Sequence, residues 1–209
     1  MFDYWKNQYT ARGFTPGGMF VKDNLCYIPI PKNSSSYIGQ LLLENGWGIG
    51  NFLTTDLTNK QIIILVREPI DRWVSGTAQY LCSALLKNGR TSIDIINNWN
   101  SIVQDLIFDR IVFDDHTEKQ VYFISGIPRE NCVFFNSNRS PELAIKQYLI
   151  SQNLDLNTDI DIDRNQTQGN EYKEILVNFL QDQLTQNPHL VNKLIDTYRE
   201  DYTIWNVTI

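Results

Sequence analysis

Residues 61–76 run QIIILVREPIDRWVSG: an apolar segment, a charged turn and a second apolar pattern. Gln61 is followed by five consecutive apolar residues, three of them isoleucine, which is typical of a strand that is buried on both faces. Pro69 suits the first turn of a helix, and from Ile70 to Leu81 apolar residues recur at helical spacing. The stretch therefore predicts a strand, a short polar turn and a helix.

An earlier segment repeats this order. Residues 25–30, LCYIPI, form a short apolar run that predicts a buried strand. A helix is predicted from the apolar spacing in YIGQLLLEN at 37–45, and the hydroxyl-rich segment at 34–36 can supply its N-cap. Two successive strand–turn–helix units predict an α/β fold with a parallel sheet, in which ligands bind at the carboxyl ends of the strands.

The remaining pattern predicts several further elements. Helices are expected over residues 99–113, 140–150, 170–184 and 188–203, short strands at 121–124 and 132–135, and an exposed strand or turn at 155–163. Ser140 is the expected cap of the second of these helices, with Pro141 in its first turn.

Length and charge limit the classes of protein and partner. The chain has 209 residues, 42% hydrophobic and 20% charged, which is an ordinary globular composition. We expect one domain over 1–209, with an irregular N-terminal arm at 1–20 and C-terminal helices over 170–209. The formal net charge of −6 gives no general attraction for a polyphosphate backbone, so no nucleic-acid partner is expected. A local basic pocket for one small anion is compatible with that charge.

The number and spacing of the cysteines and histidines and the length of the apolar runs exclude further classes of protein. Cys26, Cys82 and Cys132 are far apart and form no CxxC pair, and there are two histidines, so neither a disulfide framework nor a metal centre is expected. The first residues, MFDYWKNQYTARGF, hold no apolar core of signal-peptide length, and no run approaches about 20 apolar residues. We therefore expect a cytoplasmic protein with no membrane segment.

The first candidate site is the segment at 31–36, PKNSSS, which lies between a predicted strand and a predicted helix. Backbone N–H groups at a helix start, three hydroxyls and the Lys32 ammonium form a cradle suited to an anion. The segment is not a Walker A loop, because GxxxxGK[ST] is absent. The alternative interpretation is a helix cap beside a solvated lysine.

The second candidate site begins at the end of the other predicted strand. Arg67 ends that strand, so we expect it to point into the same crevice as Lys32, and Ser75 lies about two helical turns further on. An arginine fork with a hydroxyl suits a second phosphate group. The alternative is a surface arginine paired with Glu68 or Asp71, an arrangement that is common and contributes little stability.

Together, IPIPKNSSSYI and IIILVREPIDRWVSG resemble the two nucleotide-binding signatures of sulfotransferases that use 3′-phosphoadenosine 5′-phosphosulfate (PAPS). Residues 115–120, DHTEKQ, resemble the Asp-His-x-x-x-Gln segment of carbohydrate-type members of that superfamily. Residues 164–167, RNQT, followed by Tyr172, resemble their late Asn-x-Ser/Thr segment, and the ending LIDTYREDYTIWN resembles their final helix. The resemblance covers most of residues 25–206 and is closer to the glycan sulfotransferases than to the cytosolic small-phenol enzymes.

This resemblance implies a single three-layer α/β/α domain of P-loop-like nucleotide-binding architecture. It implies transfer of a sulfuryl group from PAPS to an acceptor hydroxyl on a carbohydrate, without a metal. Lys32 and the serines after it would hold the 5′-phosphosulfate, Arg67 and Ser75 the 3′-phosphate, and Asn165 and Thr167 would border the cofactor. The complete set of cofactor-binding candidates is Lys32, Asn33, Ser34, Ser35, Ser36, Arg67, Ser75, Asn165 and Thr167.

The catalytic candidates are Lys32 and a general base. Lys32 at the bridging oxygen would stabilise the charge that builds on the leaving phosphate. Many family members place a histidine between the two signatures, but residues 37–66 contain none. Asp56 has the position but a reference pKa of about 3.9, which would have to rise, whereas His116 has a suitable pKa of about 6.5 and comes from a later loop. Glu44 is the third candidate.

Three functions are therefore compatible with the sequence. The leading hypothesis is a PAPS-dependent sulfotransferase acting on a carbohydrate. The second is a nucleotide-dependent phosphotransferase, which lacks support from a Walker A pattern or an obvious set of magnesium carboxylates. The third is a non-catalytic module that keeps the scaffold, has lost its base and binds a nucleotide or glycan.

Overall fold

The computed structural model describes residues 18–51, 55–86, 91–99, 104–160 and 171–208. The first half of the described chain contains β1 (Met19–Lys22), β2 (Leu25–Ile28), α1 (Ser35–Glu44), β3 (Gly48–Gly50), β4 (Gln61–Val66), α2 (Pro69–Leu86), α3 (Ser92–Asn97) and α4 (Gln104–Arg110). The second half contains α5 (Gln120–Phe123), β5 (Cys132–Asn136), α6 (Pro141–Ser151), α7 (Glu171–Gln186), α8 (Pro188–Thr197) and α9 (Arg199–Trp205).

The strands form one five-stranded sheet in the order β3-β1-β2-β4-β5. Its centre is parallel, with Ile28 opposite Ile64 between β2 and β4 and Ile64 opposite Phe134 between β4 and β5. This confirms the predicted α/β class and the parallel pairing of the two strands that carry the candidate motifs.

The sheet as a whole is mixed rather than parallel, which corrects the sequence-based expectation. β1 pairs antiparallel with both β2 and β3. The connection from β1 to β2 is a two-residue turn in which Asp23 adopts a left-handed conformation, with φ of 49°. Such a short turn closes a hairpin, and a hairpin is antiparallel by construction. The first strand begins at Met19, so the arm predicted at 1–20 already contains strand residues at its end.

One predicted strand is wrong. Residues 121–124, VYFI, lie in the short helix α5 and the turn after it. Phe123 and Ile124 are buried side by side while Tyr122 is exposed, a pattern with no strand-like alternation. An apolar run of four residues does not distinguish a strand from a short buried helix. The strand predicted at 132–135 is confirmed as β5.

The described chain divides into two compact units. Unit 1 draws on Met1–Arg67, Gln120–Arg164 and Thr203–Ile209, and it contains the whole sheet. Unit 2 draws on Glu68–Lys119 and Asn165–Tyr202 and is helical in its described part.

In unit 1 the sheet carries apolar clusters on both faces, as the unbroken apolar sequence of β4 predicts. One face of β4 presents Ile62, Ile64 and Val66, which pack with Phe123 and Ile204. The other face presents Ile63 and Leu65 to a cluster that α1 and α6 complete with Ile38, Leu41, Leu42, Ile145 and Leu149.

Unit 2 has a core of its own. Trp73, Val74 and Ala78 of α2 pack against buried leucines of α7 and α8. The indole N–H of Trp73 donates a hydrogen bond to the carbonyl oxygen of Ile111 at 2.9 Å, so the largest core side chain is also held by a polar contact. Among the described residues, no helix combines the length and the apolar character needed to cross a bilayer.

Candidate site at the carboxyl ends of β2 and β4

The turn between β2 and α1 has an unusual backbone. Lys32 and Ser34 both have positive φ, 70° and 57°, in the left-handed region. Each such conformation costs a residue other than glycine about 1–2 kcal/mol, so the surrounding contacts must hold the turn in place. Ser34 occupies the N-cap position of α1, but its side chain makes no capping bond to the described residues. Because a capping residue normally has an extended backbone, the expected serine cap is not made here.

Asn33, between these two residues, fastens the turn to β4. Its side chain is fully buried, and its Nδ2 donates to the carbonyl oxygen of Leu65 at 2.8 Å and to Oε1 of Gln120 at 2.7 Å. Asn33 was a candidate ligand for the cofactor, yet the structure uses its amide nitrogen to hold the turn.

Gln120 fastens Arg67 in the same way. Its Oε1 also accepts from the backbone N–H of Arg67 at 3.0 Å, and its Nε2 donates to the carbonyl oxygen of Arg67 at 2.9 Å. The carboxamide thus pairs with both main-chain groups of Arg67, as a residue of a neighbouring strand would. Gln120 is fully buried.

The two predicted motif segments meet at this edge of the sheet. Nη1 of Arg67 lies 3.4 Å from the carbonyl oxygen of Lys32 and donates to it. Both side chains are half-buried. The first turn of α1 contains no acidic residue, so the Arg67 guanidinium, the Lys32 main chain and the positive end of a helix dipole lie together without a carboxylate in that turn. Positive polarity of this kind favours an anion over a cation.

The three serines of the turn differ in exposure. Ser34 and Ser36 are exposed and Ser35 is half-buried, so their hydroxyls lie at the surface beside the start of α1. The backbone N–H groups of Ser35 and Ser36 open the helix and have no acceptor within it. These groups are available in the geometry that an anion at a helix N-terminus uses.

Asp56 is placed unfavourably for a general base. Its side chain is exposed, and its Oδ1 accepts from the N–H of Thr58 at 2.9 Å and from the hydroxyl of Thr58 at 2.7 Å. These hydrogen bonds hold the pKa of Asp56 below its usual range. A base role requires the opposite shift. Glu44, the other carboxylate considered, is exposed at the last position of α1.

His116 lies in unit 2, in a loop where two carboxylates face its ring. Nδ1 is 3.0 Å from Oδ2 of Asp114 and 3.2 Å from Oδ1 of Asp115. The hydrogen bonds to these carboxylates raise the pKa of His116 to about 9, against the opposing effect of burial. The imidazole is therefore mostly protonated at neutral pH. The three side chains also bring potential metal-ligand atoms within 4.8 Å of one another, but a protonated Nδ1 does not coordinate a cation.

Buried groups of unit 2 fix the conformation of the His116 loop. The guanidinium of Arg72 donates to the carbonyl oxygens of Asp115 and Glu118, at 3.1 and 2.5 Å, and the hydroxyl of Tyr198 donates to the carbonyl oxygen of Thr117. Arg72 belongs to the second motif and is 1% exposed, so its role is to hold this loop. Nothing in the local sequence signals that role, because its partners lie more than 40 residues away.

The remaining candidates lie in unit 2 or outside the described residues. Ser75 is buried in α2 of unit 2. Asn165 and Thr167 lie outside the described residues. The sequence interpretation missed the roles of Asn33 and Gln120; Gln120 was noted only as the last residue of the DHTEKQ segment.

Neither a scan of the chain against protein-family models nor searches of curated proteins and of solved structures found a match.

Proposed function

We propose that the chain is a sulfotransferase that moves the sulfuryl group of PAPS to an acceptor hydroxyl on a carbohydrate. The observation that carries the proposal is the junction of the two motif segments, where the Arg67 guanidinium reaches the carbonyl oxygen of Lys32. The mixed α/β fold and the parallel pairing of β2 with β4 support it, because ligands bind such sheets beyond the carboxyl ends of the strands. The proposal includes the finer three-layer, P-loop-like architecture that the resemblance implies.

The residues present fit a ligand with more than one phosphate. The start of α1 after the left-handed residues Lys32 and Ser34 supplies positively polarised backbone N–H groups, and the Arg67 side chain adds a fork that matches a phosphate. Lys32 and the serines would hold the 5′ group and Arg67 the 3′-phosphate.

PAPS supplies the sulfuryl group and a bisphosphate leaving group. Sulfuryl transfer, like phosphoryl transfer, asks the protein mainly for alignment and charge stabilisation. The Lys32 ammonium would act on the oxygen that separates from sulfur, where negative charge is greater in the transition state than in the ground state. The backbone amides at the start of α1 would hold the adjoining oxygens and orient the donor towards the acceptor.

A non-catalytic nucleotide- or glycan-binding module is the second candidate, and the state of the possible bases favours it. The pKa of Asp56 is lowered by Thr58, and the pKa of His116 is raised to about 9 by its two carboxylates. Neither group is tuned to accept a proton efficiently near pH 7. In this case the anion site binds its ligand and no acceptor is sulfated.

The first test is calorimetric titration with 3′-phosphoadenosine 5′-phosphate, the product of PAPS, beside ADP and AMP. We expect tighter binding of the bisphosphate, weakened about tenfold or more by Lys32→Ala or Arg67→Ala, because each removes a charge-assisted contact. Lys60→Ala and Arg129→Ala are matched controls, since these residues precede β4 and β5 at the opposite edge of the sheet. Absence of binding to the folded protein would sink the proposal.

Transfer from labelled PAPS to a panel of glycans then separates the two candidates. Incorporation of label that requires Lys32 supports the sulfotransferase. Selective binding of the bisphosphate with no incorporation into any acceptor favours the binding module instead. Tighter binding of ADP than of the bisphosphate contradicts the sulfotransferase and returns the phosphotransferase to consideration.

A further inference from the structure

We infer that Gln120 is a positioning residue, whose carboxamide, together with Asn33, joins the Lys32 turn to the Arg67 main chain so that both cations serve one anion site. The anion's identity rests on the proposed function, but the junction itself does not. The four bonds that carry it join Asn33 to Leu65, Asn33 to Gln120, and Gln120 twice to Arg67, all at 2.7–3.0 Å.

The strand register explains why side chains are needed here. The last paired residues of β2 and β4 are Ile28 and Ile64, and in a continued parallel ladder the N–H groups of Ile30 and Lys32 would donate to the carbonyl oxygens of Leu65 and Arg67. β2 ends at Ile28 and a turn follows, so these two carbonyl oxygens lack the main-chain donors that a longer strand would provide. The Asn33 and Gln120 side chains supply the missing donors to the carbonyl oxygens of Leu65 and Arg67.

The use of side-chain hydrogen bonds in place of strand pairing has a functional consequence. If β2 had stayed paired with β4, the chain after Ile28 would remain extended, and the left-handed turn at Lys32 and Ser34 could not form beside Arg67. Replacing strand pairing by two amides lets the strands part while the distance between the two segments stays fixed. Gln120 is fully buried, so its carboxamide groups are costly to separate from their partners.

The test compares Gln120→Met, which keeps the length of the side chain and loses all its hydrogen bonds, with Gln120→Glu, which keeps the acceptor for the Arg67 N–H and loses the donor. Gln147→Met, on the exposed face of α6 in the same unit, is the control. The first readout is amide hydrogen exchange of Arg67 in the unliganded protein. We expect at least tenfold faster exchange in Gln120→Met and near-wild-type exchange in Gln120→Glu and Gln147→Met.

The second readout is affinity for 3′-phosphoadenosine 5′-phosphate, measured for Gln120→Met in the wild-type and Arg67→Ala backgrounds. If Gln120 acts through Arg67, its loss weakens binding about tenfold in the wild type and less than twofold when Arg67 is already alanine. An equal loss in both backgrounds would mean that Gln120 supports the fold in general, and the inference would be wrong.

The two readouts also separate this inference from the proposed function. Accelerated exchange in Gln120→Met together with no bisphosphate binding in the wild type keeps the junction and rejects the proposed ligand. Unchanged exchange in Gln120→Met rejects the junction, whatever the ligand. If Gln120→Met does not fold, Asn33→Ser is measured in the same cycle, and strict additivity with Arg67→Ala overturns the inference.

Discussion

At the scale of single residues, two buried tyrosines differ in what their hydroxyls contact. Tyr198 is 1% exposed and donates to the carbonyl oxygen of Thr117, whereas the fully buried Tyr27 hydroxyl has no hydrogen-bond partner among the described residues. Burial raises the pKa of both phenols, so neither ionises in ordinary buffers.

We expect Tyr198→Phe to lower the free energy of unfolding by about 1–2 kcal/mol, because a buried carbonyl oxygen loses its donor. Tyr27→Phe should leave the free energy of unfolding unchanged or raise it by up to about 1 kcal/mol. The Tyr27 hydroxyl loses its contact with water on folding and gains no hydrogen bond among the described residues in exchange. Urea denaturation of the two variants measures both values. A larger loss for Tyr27→Phe than for Tyr198→Phe would contradict the assignment of partners.

Residue roles could be predicted only where they follow from position along a strand. The nearness of Lys32 and Arg67 follows from two adjacent parallel strands that end at the same edge. The roles of Asn33 and Gln120 do not, because the two residues are 87 positions apart and the bond between them depends on tertiary structure. Local sequence therefore indicates which side chains reach the anion site and leaves hidden the amides that hold them there.

At the scale of elements, Gly76 is where α2 meets the His116 loop. A Cβ at this position would lie 2.4 Å from the carbonyl oxygen of His116, far inside van der Waals contact. Helix propensity alone would make alanine here stabilising by about 1 kcal/mol. A clash with backbone that Arg72 and Tyr198 already fix cannot relax cheaply, so the clash dominates.

Gly76→Ala should therefore destabilise the protein by about 1–3 kcal/mol and shift the NMR resonances of His116. Gly39→Ala in α1 is the comparison, because its Cβ would meet only the far end of the Phe20 ring, at 2.6 Å, which can turn aside. We expect Gly39→Ala to lose less stability than Gly76→Ala. Thermal unfolding measures the stability of both variants. An equal loss of stability in the two would mean that the backbone of the His116 loop moves aside as easily as the Phe20 ring.

The elements themselves were predictable where the pattern was long or strongly β-branched. The strand at 61–66 and the helices that begin at Pro69 and Pro141 are confirmed. The error at 121–124 has a physical origin, because four apolar residues fit a buried helix as well as a strand. Caps were predicted by residue type, but Ser34 and Ser140 are both left-handed and their side chains make no capping bond to the described residues. Backbone conformation at those positions is set by the tertiary structure, not by the serine.

At the scale of the whole molecule, the chain passes between its two units after Arg67, Lys119, Arg164 and Tyr202. Neither unit is a continuous piece of sequence, so neither could be recognised from composition or from a linker. The prediction of one domain over 1–209 stays a prediction. Coincident unfolding transitions, followed by far-UV and near-UV circular dichroism, would support it.

The stability of the whole chain should depend on pH through His116. Its pKa is about 9 in the folded protein and about 6.5 in an unfolded chain, so the folded state binds the proton more tightly. The contribution of this proton to the free energy of unfolding is complete below pH of about 6.5 and is lost as the pH rises to about 9. Asp115 behaves oppositely: the hydrogen bond from His116 is the largest cause of its lowered pKa, so its contribution is lost towards acid pH.

Replacing His116 by glutamine should therefore flatten the profile of unfolding free energy between about pH 6.5 and 9, where the ring proton is released. His189→Gln, at an exposed position of α8, is the matched control and should keep the wild-type profile. Urea denaturation from pH 5 to 9.5 measures all three proteins. An alkaline loss of stability that persists in His116→Gln would assign that loss to another group. His116 would then be neutral at pH 7, and a neutral imidazole is suited to act as the general base.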